Sequence, residues 1–487
     1  MPGTFFGFNT ALRGMQAQQR GIYTTSHNIA NANTEGYTRQ QVVLAATPAY
    51  PVPAMNRPGG QGWQIGTGVD SQETRRLRDE FLDTQIRRET GSLGQWQQIQ
   101  DVLQQVEVVF NEPSDTGLST LMSQFWAAWQ ELSKNAESSP VRTTVVETAN
   151  ALAEAFSHSY QQLTTIQDDI DQSIALKVTE VNSIAQQIAD LNGQIKNIVA
   201  AGDQPNDLID QRDLLLDKLS KIIDFTTTKN SDGSITVTLG NGNTGKLVDG
   251  TAVQNLTATL DASNKEFLFA LGGNNIDVSN GELFGLNKAY GTVSTYLDNL
   301  NTLVGNLADA INQQHKQGYD LKGNTNVPFF AYKDSSGRLV EIDKYTSGAA
   351  AIIQVNPDII DDVSKIAAAG TWDATNPTQG DGSNALKIAQ LQNTRTADLS
   401  NATFDDYYKN FTAKLGVDAN EATRMTTNQG VLVDQLNNRK DSISGVSLDE
   451  EMASMLQYQR AFEASARMIT TLDSMLDKII NGMGVTR

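Results

Sequence analysis

The strongest constraint on this chain is a stripe at its C-terminal end. Leu448, Met452, Met455, Gln459, Phe462, Ala466, Ile469, Asp473, Leu476, Ile480 and Met483 step by four and three without losing register. That period puts every one of them on one face of a helix and describes a coiled-coil seam of roughly 50 Å. Ser447 and Glu450 form a capping box at its start, and Gly445 breaks whatever precedes it. The N-terminal end carries a weaker copy over residues 4–30, through Phe5, Phe8, Leu12, Met15, Gln19, Ile22, Ser26 and Ile29. A lone helix with one apolar stripe is marginal in water. The two ends therefore need each other, other subunits, or both.

Between Thr47 and Gly68, four prolines (Pro48, Pro51, Pro53, Pro58) and Gly59, Gly60, Gly62, Gly66 and Gly68 rule out a continued helix. This stretch reads as a linker or extended arm. Residues 71–224 follow as mostly helix, most clearly at Ile174, Val178, Val181, Ile184, Ile188, Leu191, Ile195 and Ile198. Around residue 225 the period changes. Ser234–Leu239 and Phe267–Leu271 read as strands, with hairpin signals at Asp232-Gly233 and Gly272-Gly273-Asn274-Asn275. Helix returns over about 287–316 and 381–440, with a mixed, Gly-containing stretch at 318–380. The expected fold is α+β and multidomain: a terminal-helix coiled coil (1–46 with 446–487), an arm (47–70), a helical-bundle rod domain (71–224 with 287–320 and 381–445), and an inserted β-rich outer domain (225–286 with 321–380).

Chemistry finds little footing. Lys and Arg number 37 against 56 Asp and Glu, a net charge of −19, so no basic face is expected for nucleic acid. There is no Cys, and the three histidines (His27, His158, His315) stand far apart. Neither a membrane-spanning apolar run nor a cleavable leader is legible, so no membrane insertion and no processing are expected. Gly240-Asn241-Gly242-Asn243-Thr244-Gly245-Lys246-Leu247 imitates a phosphate loop, but Leu247 replaces the metal-binding hydroxyl and no helix start follows. It reads as a turn. Acid pairs such as Asp168-Asp169, Asp361-Asp362 and Glu450-Glu451 read as solvated surface, and Trp126 and Trp129 as core. No catalytic, cofactor-binding or metal-binding residue is expected.

The segment closing the first helix is different. Asn28, Ala30, Asn31, Asn33, Thr34, Gly36 and Tyr37 form a polar terminator denser than a helix cap needs, which points to a defined packing role. Asn28–Tyr37 resembles the signature of the axial proteins of the bacterial flagellum: the rod, hook and hook-associated proteins. Further pieces are similar to the hook–filament junction members of that family. They are Thr4–Gly14, Asn111–Asp115 with Gly117-Leu118, Pro140-Val141-Arg142, Asp207–Asp213, His315 with Gly318–Leu321, Gly323 and Phe329-Phe330, then Leu448–Met452 and Tyr458–Arg467. The match is specific at both ends and weakest at 225–285 and 331–440.

The resemblance implies a structural protein of the junction between hook and filament, exported without a cleaved signal peptide and located outside the cell. It implies terminal segments that are disordered in the monomer and form an inner coiled-coil layer on assembly. The implied partners are further copies in a helical layer, the hook protein, the second hook–filament junction protein, and an export chaperone at the C-terminal helix. The assembly seam is then expected at Phe5, Phe8, Leu12, Met15, Ile22 and Ile29, packed with Leu448, Met452, Met455, Phe462, Ala466, Ile469, Leu476 and Ile480. Competing readings are another axial protein, a secreted hydrolase in the β insert, and an adhesin with terminal coiled coils.

Overall fold

The computed structural model describes residues 5–50, 64–110, 117–240, 245–334, 336–373 and 380–482. Most of the Pro/Gly arm, the Asn111–Asp115 motif, Asn241–Thr244 of the phosphate-loop imitation, Thr4 and Met483 lie outside the described residues. Chain order begins with α1 (Phe6–Ala30), the antiparallel pair β1 (Gln40–Ala46) and β2 (Val69–Arg76), α2 (Glu80–Phe110), α3 (Leu118–Lys134), α4 (Ser139–Ala200) and α5 (Asn206–Ile222). Residues 71–76, grouped with the helical body on sequence, are thus strand.

Two small sheets follow. β3 (Phe225–Lys229), β4 (Ile235–Leu239), β5 (Lys246–Asp249) and β6 (Ala252–Val253) form one in that order; β7 (Leu256–Asp261), β8 (Glu266–Leu271) and β9 (Asn274–Ile276) form the other. Gly272 and Gly273, at φ +57° and +87°, make the two-residue turn between β8 and β9 that only a left-handed backbone allows. β4 and β5 pair antiparallel. The chain continues through α6 (Glu282–His315), β10 (Ala331–Lys333), β11 (Leu339–Glu341), α7 (Ala349–Ile352), α8 (Pro357–Asp361), α9 (Ser383–Gln390), α10 (Phe404–Ser444) and α11 (Leu448–Asp477).

α4 is 62 residues long, about 90 Å at 1.5 Å per residue. Its inner face runs from Leu152, Phe156 and Leu163 through Ile166, Ile170 and Ile174 to Val181, Ile184, Ile188 and Ile195, all in one core. That core is shared with α2, α3, α6 and α10. At its aromatic centre Phe125, Trp129, Phe329 and Phe330 meet with ring centroids 5.0–6.4 Å apart.

The two stretches grouped as one outer domain lie at opposite ends of the long helices. Asn182 and Asn192 in the C-terminal half of α4, with Asn287 near the start of α6, hold the sheets of 225–276. Arg142 in the first turn of α4 and Asn312 and His315 at the end of α6 hold residues 327–367. The order helix, sheet, helix in sequence could not reveal that a 34-residue helix carries the chain from one lobe to the other.

A repeated device attaches these lobes. Asn182, Asn192, Asn287 and Asn312 each donate from Nδ2 to the carbonyl of one extended residue (Leu256, Ile235, Phe267 and Phe330) and accept that residue's N–H at Oδ1, over 2.7–3.2 Å. A helix-borne amide thereby replaces the ladder partner that a strand end lacks.

His315 is fully buried, with Nδ1 2.7 Å from the Val327 carbonyl and Nε2 accepting from Ala367 N–H at 2.9 Å. Burial above all lowers its pKa to about 4, with Arg142 adding to the effect. The unfolded chain takes up this proton first, near pH 6.5. The stabilisation is therefore whole above pH 6.5 and is lost as pH falls toward 4, by about 3 kcal/mol in total. Denaturant midpoints measured between pH 7.5 and 4.5 should drop accordingly, and the drop should shrink by that amount in His315→Gln. An unchanged slope in the variant would remove His315 from the account.

Candidate assembly interface

α1 and α11 lie side by side, antiparallel, and the row between them is lined by glycine. Positions 7, 14, 21 and 28 of α1 face positions 472, 465, 458 and 451 of α11. A Cβ on Gly7 would stand 3.5 Å from Leu472, one on Gly14 3.2 Å from Ser465 Oγ, and one on Gly21 only 2.8 Å from the Tyr458 ring; Asn28 Nδ2 donates to Glu451 Oε2 at 2.9 Å. Seven-residue spacing on both helices is the period of a coiled coil. Glycine at three of the four positions on α1 lets the backbones close up.

On sequence the two stripes were expected to pack against each other. In the structure the glycine row takes that place, about 100° around α1 from the stripe, one residue's rotation. The hairpin β1–β2 covers another side of α1, with Arg20 Nη1 donating to Ser71 Oγ and the Phe6 ring 6.5 Å from that of Tyr50. Both stripes are left on the side of the pair away from the hairpin. Phe8, Leu12, Met15, Ile22 and Ile29 of α1 are half-buried, as are Met455, Phe462, Ala466, Ile469 and Leu476 of α11. Phe5, Leu448, Met452 and Ile480 are 63%, 47%, 51% and 69% exposed. Ala17 is the one fully buried apolar side chain among the described residues of the two helices, and it belongs to no core cluster. The pair thus has a glycine-lined centre, a polar base and an apolar flank that is half-buried or exposed.

The polar terminator organises the base of this pair. Asn28 Oδ1 accepts from Gln40 N–H (3.0 Å) and Tyr37 Oη (2.7 Å), while Nδ2 donates to Gln40 O (2.9 Å) and Glu451. It is a fifth amide grip on an extended residue, with its donors and acceptors all used. Glu451, 2% exposed, also accepts from Arg39 Nε at 2.7 Å, so it is a buried partner of the signature and not the solvated surface expected of Glu450-Glu451. Arg39 Nη1 reaches Glu450 at 2.8 Å. Asn31 turns the chain, donating to His27 O and accepting from Thr34 Oγ1. Gly36, at φ +78°, packs on Leu214 of α5. Ala30, Asn33 and Thr34 are exposed. Burial first, then the charges of Asp207, Asp210 and Glu451, push the Tyr37 phenol well above its usual range, so it stays a donor.

Sequence reasoning missed the joint beneath. α5 places Asp207, Asp210, Asp213 and Asp217 at three- and four-residue steps along one face. Asp207 takes Gln40 Nε2 (2.8 Å) and lies 3.2 Å from His27 Nε2; Asp210 takes Thr38 N–H (3.0 Å) and Arg76 (2.7 Å). Asp213 takes Arg76 (2.8 Å) and Arg78 (3.2 Å), and Asp217 takes Arg87 (2.7 Å) and Lys440 (3.2 Å). Burial works to raise the pKa of Asp213, but Arg78, Arg76 and Arg87 hold it below the usual carboxylate range; at Asp210 burial prevails and the pKa rises. One helix thereby binds the signature loop, the end of β2, α2 and α10. The signal was present as four spaced acids on a helix and Arg76 and Arg78 at the end of β2.

Among the described residues no group of three or more His, Cys, Asp or Glu side chains is placed to hold a metal ion, and no helix is long and apolar enough to cross a membrane. What the arrangement offers chemically is association.

Residues 103–330 match the family described as flagellar hook-associated protein FlgK helical domain. Residues 8–38 match the flagella basal body rod protein family, and 441–482 the flagellar basal body rod FlgEFG protein C-terminal family. Flagellar hook-associated protein 1 of Bacillus subtilis is 35% identical over 515 aligned residues, spanning 100% of this chain and 99% of that one. Its namesake from Salmonella typhimurium is 28% identical, over 97% and 99%. The solved flagellar hook junction protein FlgK from Burkholderia pseudomallei shares the fold, with a TM-score of 0.63 over 74% of this chain and 100% of that one, at 17% identity.

Proposed function

This chain belongs to the family of flagellar hook-associated protein 1, and from that premise we propose that it is a non-catalytic subunit of the junction between flagellar hook and filament. Copies associate through the terminal helices in a helical layer. The hook protein lies on one side and the second junction protein on the other. The proposal includes export without a cleaved signal peptide, with a chaperone binding the C-terminal helix before assembly.

One observation carries this reading. The apolar stripes of α1 and α11 share one side of their pair, and the described residues leave them half-buried or exposed. A stripe that one subunit cannot bury becomes the driving force for the next contact once copies meet. Subunits related by a rotation and a rise bury it in a repeating head-to-tail manner.

The test is to shear flagella from producing cells, measure this chain's abundance and N-terminus by mass spectrometry, and locate it with labelled antibody. The expected result is a minor component, intact at its N-terminus apart from the initiating Met, labelled at the hook–filament boundary. A chain distributed along the filament, or absent from flagella, would overturn the assignment.

A further inference from the structure

One guanidinium at the joint lacks a counter-charge of its own. Arg212 is 4% exposed; its Nη1 donates to Asn192 Oδ1 (3.0 Å) and the Gly233 carbonyl (2.9 Å), both neutral. Its Nε is buried with no hydrogen-bond partner. The surrounding carboxylates are engaged elsewhere: Asp83 with Arg78, Asp210 with Arg76, Asp213 with Arg76 and Arg78, Asp217 with Arg87 and Lys440. Of the charged side chains that border one pocket here, five are cations (Arg76, Arg78, Arg87, Arg212, Lys229) and three are carboxylates (Glu80, Asp83, Asp213), so positive charge is in surplus. Arg78 Nη2 is also buried without a hydrogen bond, its Asp217 oxygen 3.8 Å away. Burial lowers the pKa of Arg212; Asp213 opposes this, and Arg76 and Arg87 reinforce it.

Arg76, Arg78, Arg87, Arg212, Asp83 and Asp213 line this open pocket of 260 Å³ between β2, α2, α5 and the β3–β4 hairpin, with Lys229 at its rim paired to Glu80. Water occupies about 30 Å³ per molecule in the liquid, so the pocket has room for a tetrahedral oxyanion with water. Planar guanidinium groups with unused N–H donors are suited to such oxygens, because charge-assisted hydrogen bonds are the stronger kind.

We propose that this pocket binds a small tetrahedral oxyanion of the phosphate or sulfate class, which neutralises the surplus positive charge and ties the end of β2 to the β3–β6 lobe. Inorganic phosphate titrated calorimetrically into the full chain, with ionic strength held constant by chloride, should give saturable one-to-one binding, and sulfate should compete. Arg212→Met should weaken binding at least tenfold. Lys229→Ala, a surface change that leaves the fold alone, should weaken it severalfold. Absence of saturable binding, or the same affinity in both variants, would overturn the proposal. Should Arg212→Met fail to fold, unchanged affinity in Lys229→Ala alone would do so.

Discussion

Phe462→Asp is expected to abolish incorporation into flagella while leaving the isolated subunit folded. Phe462 sits half-buried in the middle of the α11 stripe, next to the row that faces α1. It belongs to neither core cluster, so the body loses nothing when it changes. In the assembled layer the same position is proposed to be dry, and an unpaired carboxylate there costs several kcal/mol per subunit. Since each subunit would pay it at every repeat, the layer should not form at all. The measurement pairs the melting curve of the purified variant with its abundance in sheared flagella. A normal melt with no incorporation is the expected combination. Normal incorporation would mean that the apolar flank is not what copies bury.

Asn28→Ala should have the second largest effect, and on the subunit itself. Removing this amide leaves the N–H and carbonyl of Gln40 without their partner, frees Tyr37, and strips one of the two contacts that hold the buried Glu451 carboxylate. Buried groups left without partners cost about 1–3 kcal/mol each, so a loss of roughly 3 kcal/mol is expected for the joint of α1, β1 and α11. Local opening there should become on the order of a hundredfold more frequent at 1.4 kcal/mol per tenfold. Amide hydrogen exchange should accelerate in residues 17–46 and 448–460, with protection of α4 and α6 unchanged. Equal exchange in variant and parent would show that the signature merely ends a helix.

Much of this was legible from periodicity. The Ser447 cap accepts from Glu450 N–H as its spacing implied, and the Gly272-Gly273 turn follows from composition. A stripe, however, says which face of a helix repels water and not where the neighbouring helix stands. Gly7, Gly14 and Gly21 look like weak points in α1 until Leu472, Ser465 and Tyr458 are set against them. Asn192 and Arg212 carry no local signal of their roles, because their partners Ile235 and Gly233 come to them through the fold. The division into two lobes escaped for the same reason: nothing local in residues 327–367 says that they pack on Arg142 and not on the nearer strands.

The hydrogen bond between Asn28 and Glu451 spans 423 residues of sequence, so the base of the terminal pair is a clasp on a very long loop. The entropy of closing a flexible loop grows only with the logarithm of its length; doubling it costs about 0.6 kcal/mol. Added or deleted segments within the loop therefore scarcely alter how firmly the clasp shuts. The alignments to relatives run over 515 and 565 positions against 487 residues here, as such tolerance allows. The segments between the two ends are free to change size while the clasp at the base of α1 and α11 keeps one geometry.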